Sequence, residues 1–232
     1  MSKPATKNYL LLWDIDGTLV STGKAGEVAL EIAMQEAFQS TTDLSRIDFR
    51  GRTDTWIALQ LFQQAGIEPT PNNLHDFKEA YLCELRRQLP LYKGKVHPGI
   101  TGILEEARRR PECVNALLTG NLERGAQLKL EHYEVWHYFE FGAFADDSHL
   151  RNELGPVALR RAFEKTSFAF EPENVYVIGD TPHDIECGKV IGAKTIAVAT
   201  GGYSRAELEA HQPTALFDDL SHPQTFFDLL GT

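Results

Sequence analysis

The stretch that decides the fold is Leu10-Leu11-Leu12-Trp13-Asp14-Ile15-Asp16-Gly17-Thr18-Leu19-Val20. It opens as an apolar run, which predicts a fully buried strand. Two carboxylates follow, and because burying an unpaired charge is costly, we expect them at the mouth of a site that contains a cation. In open α/β sheets such sites lie just outside the carboxyl ends of the strands. Residues two apart on extended backbone point the same way, so Asp14 and Asp16 can address one point.

An ordinary turn is the alternative interpretation of the same residues. Aspartates in turns bond the neighbouring backbone, and Gly17 would supply a positive φ. The dipeptide Asp-Gly alone favours that turn, so the rest of the chain has to decide between the two.

The whole stretch resembles the first motif of the haloacid dehalogenase-like superfamily, a strand followed by Asp-x-Asp-Gly-Thr-Leu. The match runs without a gap from Asp14 to Leu19. The resemblance implies that Asp14 is a nucleophile. It also implies that Asp16 is the general acid/base, a residue present in the phosphate-transferring members and absent from the dehalogenases.

Length and composition set limits on the fold and the partners. The 232 residues suffice for one large domain, or for a core domain with a smaller one inserted. A formal net charge of −10 disfavours nucleic acid as a partner, and no apolar run is long enough to span a membrane. Three widely spaced cysteines predict reduced thiols in a cytoplasmic protein, which we expect to be a monomer or a homodimer.

The order of elements predicts an α/β fold with an inserted all-helical cap. Helical patterns occupy the cap, residues 21–90, and run over 27–38, 55–64 and 73–88. From His97 onward helices alternate with strands, which indicates a doubly wound parallel sheet, a Rossmann-like core built from residues 1–20 and 91–232. Strands are predicted at 114–118, 139–144, 175–178, 195–199 and 215–217. In the superfamily, such a cap closes over the site, excludes water and selects the substrate.

A second group of polar residues, Thr119-Gly120-Asn121, follows an apolar strand and opens a predicted helix. A helix N-terminus presents free amides and a positive dipole end, which suit phosphate. Gly120 would let the backbone approach closely, and Thr119 would add a hydroxyl donor. An ordinary helix cap is the alternative. The group resembles the superfamily's second motif, which implies that these residues bind phosphate.

A third group, Gly179-Asp180-Thr181-Pro182-His183-Asp184, also follows an apolar strand. A carboxylate here could simply complement a helix dipole. The group resembles the superfamily's Gly-Asp-x-x-x-Asp motif, which implies that Asp180 ligates Mg²⁺ and that Asp184 ligates or supports it. Mg²⁺ prefers oxygen ligands and keeps several waters. The implied ligands are the carboxylates of Asp14, Asp180 and Asp184 and the backbone carbonyl of Asp16.

One expected residue is missing from the sequence. The superfamily carries a lysine before the third group, and no lysine stands between 146 and 156. Arg151 is the candidate replacement, with a surface arginine as the alternative, although a guanidinium fork is not equivalent to an ammonium. In the cap, Arg52 is a candidate substrate contact because phosphoglycolate phosphatase-like relatives carry a similar Gly-Arg-Thr, and Lys24 is a weaker candidate. His183 is expected to orient Asp180 or to face solvent.

These residues predict an Mg²⁺-dependent phosphatase that acts on a small phosphorylated metabolite, resembling phosphoglycolate phosphatase. Asp14 would form an aspartyl-phosphate, and Asp16 would move the protons. Three alternatives stay open: a phosphomutase resembling β-phosphoglucomutase, a 2-haloacid dehalogenase, and a non-catalytic binding protein on the same fold.

Overall fold

The sheet is built around the predicted first strand. In the computed structural model, which describes residues 8–230, that strand is Tyr9–Trp13, and all five of its residues are buried. The described strands are β1 (Tyr9–Trp13), β2 (Val20–Ser21), β3 (Lys95–Val96), β4 (Cys113–Leu118), β5 (Gly142–Ala143), β6 (Val175–Gly179), β7 (Lys194–Val198) and β8 (Ala215–Phe217).

Six of these strands form one parallel sheet in the order β5-β4-β1-β6-β7-β8. β1 lies between β4 and β6, so the three strands end side by side at one edge of the sheet. Apolar clusters cover both faces of the sheet. This confirms the α/β class with a doubly wound parallel sheet, and it brings the three polar groups of the sequence together.

The helices follow the predicted pattern closely. The described α-helices are α1 (Ala25–Phe38), α2 (Asp54–Ala65), α3 (Pro71–Gln88), α4 (Ile100–Arg109), α5 (Glu123–His132), α6 (Leu154–Thr166), α7 (Pro182–Val190), α8 (Arg205–Ala210) and α9 (Pro223–Leu230). The first three lie within the cap. None of the helices in the described range is both long and apolar enough to cross a membrane.

The cap helices form an apolar cluster that also includes Leu122 and Ala145 of the core. Phe62 packs edge-on against Phe38 and Phe77, with ring centroids 5.2 Å and 5.7 Å away. Thr53 caps α2 by accepting a hydrogen bond from the Trp56 amide, which explains where that helix begins. The exact domain boundaries stay a prediction, and residues 1–7 of the predicted core domain lie outside the described residues.

Two predicted elements differ from those observed. The strand predicted at 139–144 contains only Gly142–Ala143, because this edge strand pairs with just Leu117 and Leu118 of β4. The helix predicted to open at Asn121 begins at Glu123, since the backbone of Leu122 is still extended, with φ −59° and ψ 145°.

The chain enters and leaves the cap through a two-stranded antiparallel ribbon. Val20 pairs with Val96, and Ser21 pairs with Lys95. The two connections therefore run side by side.

Candidate active site

Three carboxylates meet where β1 and β6 end. Asp14 follows β1, Asp180 follows β6, and Asp184 lies in the first turn of α7. One oxygen of each lies within 4.8 Å of the others, and all three residues are buried. We refer to Asp14, Asp180 and Asp184 as the acidic cluster.

The acidic cluster carries more negative charge than the protein balances. Burial, reinforced by the charge of Asp184 and opposed by Arg151, raises the pKa of Asp14 to about 7. Burial and the charges of Asp14 and Asp184 also raise the pKa of Asp180 well above its usual range. Grouped buried carboxylates resist ionisation unless a cation joins them. An all-oxygen donor set of this kind fits a hard divalent cation such as Mg²⁺.

Arg151 is the cation that contacts the acidic cluster directly. Its Nη2 donates to Asp14 Oδ1 at 2.9 Å, to the Leu118 carbonyl at 3.0 Å and to Asp184 Oδ1. Its Nε is buried and has no hydrogen-bond partner among residues 8–230. The structure thus brings Arg151 to the nucleophile candidate, as proposed for the missing lysine, and the surface-arginine alternative is wrong because this side chain is buried.

The turn after β1 is shaped to accommodate Asp180. Gly17 has φ +87°, and a Cβ at this position would overlap the Asp180 carboxylate. Thr18 Oγ1 donates to Asp180 Oδ1 at 3.1 Å. The hydroxyl of Thr18 therefore binds Asp180 directly, the task for which the sequence had suggested His183. His183 instead lies close to Gly51 of the cap.

The Asp16 carboxylate stands apart from the acidic cluster. Its Oδ2 accepts hydrogen bonds from Lys129 Nζ at 2.6 Å and from Asn121 Nδ2 at 2.8 Å. Asp14 and Asp16 line the same cavity, yet they have different charged partners. The assignment of the Asp16 backbone carbonyl to a metal stays a prediction.

The hydrogen-bonding groups in and after the Thr119-Gly120-Asn121 turn already have partners within the protein. Thr119 Oγ1 accepts from the Asn121 amide at 3.3 Å and from Asn121 Nδ2 at 2.9 Å. The two amides that follow, at the start of α5, are also taken: Leu122 donates to Asp54 Oδ2 at 2.8 Å, and Glu123 donates to Asp146 Oδ2 at 2.7 Å. The sequence predicted free amides at this helix N-terminus, but carboxylates accept hydrogen bonds from these two. Phosphate binding by Thr119, Gly120 and Asn121 themselves stays a prediction.

The cap backbone rests directly on this turn. The Asp54 amide donates to the Gly120 carbonyl at 2.6 Å, and a Cβ on Gly120 would overlap the Arg52 carbonyl oxygen. The Arg52 guanidinium lies 4.7 Å from the centre of the Trp56 ring, and its buried Nε has no partner in the described part of the chain. The backbone of Arg52 therefore packs against Gly120 of the core, and its guanidinium packs on Trp56 beside the cavity.

A cavity of about 520 Å³ joins these residues. Its core side includes Asp14, Asp16, Asn121, Lys129 and Asp180. Its cap side combines cationic and apolar side chains, namely Lys24, Leu30, Phe49, Arg50, Arg52, Ile57 and Tyr81. Both cap residues suggested by the sequence, Arg52 and Lys24, line this cavity.

Sequence reasoning missed Lys129 and the role of Asp54. Burial raises the pKa of Asp54 to about 6, against the opposing effects of Lys129 and of the hydrogen bond from Leu122. A signal for Lys129 was present in α5, where the buried positions are Gly125, Ala126, Lys129 and Leu130. A lysine on the apolar face of a helix needs a buried anionic partner.

Comparison with known proteins agrees with this geometry. A family model described as HAD-hydrolase-like matches residues 152–223, which include Asp180 and Asp184. The chain is similar to haloacid dehalogenase-like hydrolases. It is 26% identical over 219 residues to phosphoglycolate phosphatase of Vibrio vulnificus, covering 91% of this chain and 92% of that one.

Two further proteins are similar to nearly the whole chain. It is 23% identical over 222 residues to pyrophosphatase PpaX of Bacillus mycoides, covering 91% of this chain and 93% of that one. A crystal structure of a hydrolase from Pseudomonas syringae superposes with a TM-score of 0.74 at 19% identity, covering 95% of this chain and 98% of that one. At this identity the superposition shows a shared fold.

Proposed function

We propose that this protein is an Mg²⁺-dependent phosphatase that hydrolyses a small phosphomonoester through an aspartyl-phosphate on Asp14. The observation that carries the proposal is the division of the aspartates within one cavity. Asp14 belongs to the acidic cluster, whereas Asp16 is held separately by Lys129 and Asn121. This division supports a metal-binding and nucleophilic role for Asp14 and a proton-transferring role for Asp16.

The acidic cluster fits the proposed metal. Its three buried carboxylates face a single guanidinium, so a divalent cation would complete the charge balance. Mg²⁺ bound by Asp14, Asp180 and Asp184 would supply positive charge to the phosphoryl oxygens. The same residues make a metal-free dehalogenase less well supported than a phosphatase.

The reaction would proceed in two displacements at phosphorus. An Asp14 oxygen forms a bond to phosphorus while the bond from phosphorus to the ester oxygen breaks, and Asp16 gives its proton to the departing oxygen. Asp16, now ionised, then takes a proton from water as that water attacks phosphorus. The bond between phosphorus and the Asp14 oxygen breaks, which releases phosphate and restores both carboxyl groups.

Arg151 would serve the nucleophile and the phosphoryl group together. Nη2 orients Asp14, and the unpartnered Nε leaves hydrogen-bonding capacity on the same guanidinium. Charge on the transferring group is stabilised most effectively by donors that are already in place. Arg52 would contact the rest of the substrate from the cap.

Hydrolysis is better supported than phosphomutase chemistry. The two relatives reported above are named as a phosphatase and a pyrophosphatase, which favours hydrolysis. The relatives named for phosphoglycolate and pyrophosphate chemistry suggest a small anionic substrate.

The test is phosphate release from a panel of small phosphomonoesters and pyrophosphate, with and without Mg²⁺. We expect Mg²⁺-dependent release by the wild type and a loss of at least about 10³-fold in Asp14→Asn. Asp228→Asn, an exposed change in α9, is the matched control and should behave as the wild type. Release that survives in Asp14→Asn would refute the mechanism, and phosphate transfer to a bisphosphate-primed sugar without release would identify a mutase.

A further inference from the structure

The buried cation Lys129 has no task in the mechanism so far. It lies in the last turn of α5, and only 5% of its side chain is exposed. Nζ donates to Asp16 Oδ2 and to Asn121 Oδ1, both at 2.6 Å. Resting on the proposed function, we propose that Lys129 is the positioning residue that fixes the proton-transferring carboxyl of Asp16.

The side-chain hydrogen bonds to the Asp16 carboxylate reach only one of its two oxygens. Both donors, Lys129 Nζ and Asn121 Nδ2, act on Oδ2. Oδ1 accepts no hydrogen bond from any described residue, while the side chain is partly exposed to the cavity. One oxygen is therefore anchored, and the other is presented to the space where a leaving oxygen would lie. Proton transfer requires this heavy-atom geometry before anything else.

Asn121 closes the arrangement into a triangle. Its amide nitrogen donates to Asp16 while its amide oxygen accepts from Lys129, so each of the three side chains contacts the other two. The Asn121 amide is further tied to Thr119 at 2.9 Å. A closed network of this kind restricts the rotation of each member more than a single ion pair would.

Stability alone does not explain a lysine at this position. Burying an ammonium is costly, and a buried ion pair is often no more stabilising than an apolar replacement of similar size. The neighbours of Lys129 on the same helix face are Gly125, Ala126 and Leu130, which an apolar residue would match. The remaining feature that needs the ammonium is the Asp16 carboxylate, with Asp54 as a second nearby anion.

Lys129 acts on a different part of the site from Arg151. The hydrogen bonds of Arg151 reach Asp14 and Asp184, whereas those of Lys129 reach Asp16 and Asn121. Loss of Lys129 should therefore impair leaving-group protonation more than phosphate or metal binding. This difference separates a positioning role from a general loss of structure.

The experiment compares two substrates with different leaving groups in Lys129→Met. An alkyl phosphate needs its leaving oxygen protonated, whereas 4-nitrophenolate leaves without protonation. We expect kcat/KM, which reports the step that forms the aspartyl-phosphate, to fall about 100-fold for the alkyl phosphate and less than about 10-fold for 4-nitrophenyl phosphate, because general acid catalysis contributes about 10²–10⁴-fold. Hydrolysis of the aspartyl-phosphate is common to both substrates and also uses Asp16, so kcat should fall for both. The control Arg124→Gln removes an exposed cation from the same helix and should leave both rates unchanged.

Equal losses of kcat/KM for both leaving groups, or a wild-type kcat/KM for the alkyl phosphate in Lys129→Met, would each overturn the proposal. A second measurement needs neither turnover nor a folded Lys129→Met. In ¹⁵N-labelled protein we expect the Lys129 ammonium resonance to shift and exchange faster with water in Asp16→Asn. An unchanged resonance would overturn the proposal. If the wild type released no phosphate from either substrate, the proposed function would fail, and the ammonium spectrum would still decide whether Lys129 fixes Asp16.

Discussion

Arg151 illustrates how much a single side chain contributes to this site. It enters from the turn before α6 and donates hydrogen bonds to two carboxylates, Asp14 after β1 and Asp184 in the first turn of α7. Removing one partner of a buried ion pair leaves the other charge uncompensated, which costs about 3–5 kcal/mol. An arginine at this position also has donors to spare, which a lysine would not.

Arg151→Met should lower the free energy of unfolding by about 3 kcal/mol and kcat by at least about 100-fold, because Asp14 and Asp184 lose their shared donor. Arg151→Lys should retain more activity than Arg151→Met. Denaturant unfolding and phosphate release measure the two effects. Arg160→Met, at an exposed position on α6, is the control, and a fully active Arg151→Met would contradict the assignment.

At the scale of elements, the start of α5 is stabilised by the cap. Asp54 of α2 accepts from the Leu122 amide, and Gly120 lies against the backbone of Arg52. A helix N-terminus whose amides are met by carboxylates is well satisfied, but here one carboxylate comes from the cap. The position of the cap and the start of this core helix are therefore linked.

Asp54→Asn tests this link through the pH dependence of stability. The folded protein raises the pKa of Asp54 from 3.8 to about 6, so the folded state binds the proton more tightly than the unfolded chain. Stability should fall as pH rises from about 4 to about 6, by up to about 3 kcal/mol at 1.36 kcal/mol per pKa unit. Urea unfolding from pH 4 to 7 should show a smaller fall in Asp54→Asn. If the free energy of unfolding depended on pH in the same way in the wild type and in Asp54→Asn, the link between Asp54 and the start of α5 would be contradicted. The charged and titratable neighbours are Lys129, Asp16, Asp146 and Tyr81.

Gly120→Ala tests the same contact by steric means. The added methyl group would overlap the Arg52 carbonyl, so the cap backbone would have to move away from the site. We expect kcat/KM to fall at least about 10-fold and stability to fall by about 1–3 kcal/mol. Gly102→Ala is the matched control, since its Cβ would lie 3.5 Å from Pro223 and a helical alanine is favourable. Wild-type kinetics in Gly120→Ala would show that the contact is dispensable.

Local patterns predicted the elements, and the superfamily resemblance implied that Asp14, Asp180 and Asp184 act at one site. Apolar runs ending in polar residues located β1, β4 and β6, and parallel pairing then brought Asp14 and Asp180 together. The Lys129 contact and the Asp54 cap depend on how α5 is rotated against the cap, which no spacing along the chain determines. The superfamily resemblance could not supply them either, because neither residue belongs to a motif.

Within the whole molecule, the acidic cluster buries three like-charged side chains close together, at the edge where β1 and β6 end. Three buried carboxylates join the ends of two strands and the first turn of a helix, with one guanidinium between them. A ligand that binds only the folded state raises stability by mass action. The metal proposed for catalysis should therefore also stabilise the fold.

Asp180→Asn should uncouple Mg²⁺ from stability. In the wild type we expect the Tm to rise with MgCl₂ concentration, whereas in Asp180→Asn it should not respond, because a ligand carboxylate is gone. The variant should also be at least as stable as the wild type without Mg²⁺, since its amide can still accept from Thr18. Thermal unfolding with and without MgCl₂ measures both, with Asp228→Asn as the control. An Mg²⁺ response retained in Asp180→Asn would place the metal elsewhere.

The paired strands β2 and β3 have a consequence for how such a protein can be altered. Because the chain departs at Val20–Ser21 and returns at the adjacent Lys95–Val96, the intervening segment can be cut out and another grafted in without rethreading the sheet. A donor segment would need to match this short ribbon and to replace the contacts that the present cap makes with the core, among them the hydrogen bond from the Leu122 amide to Asp54 and the backbone contact with Gly120. New substrate preferences could then arise by exchange of a whole module, with the phosphoryl-transfer chemistry left in the recipient.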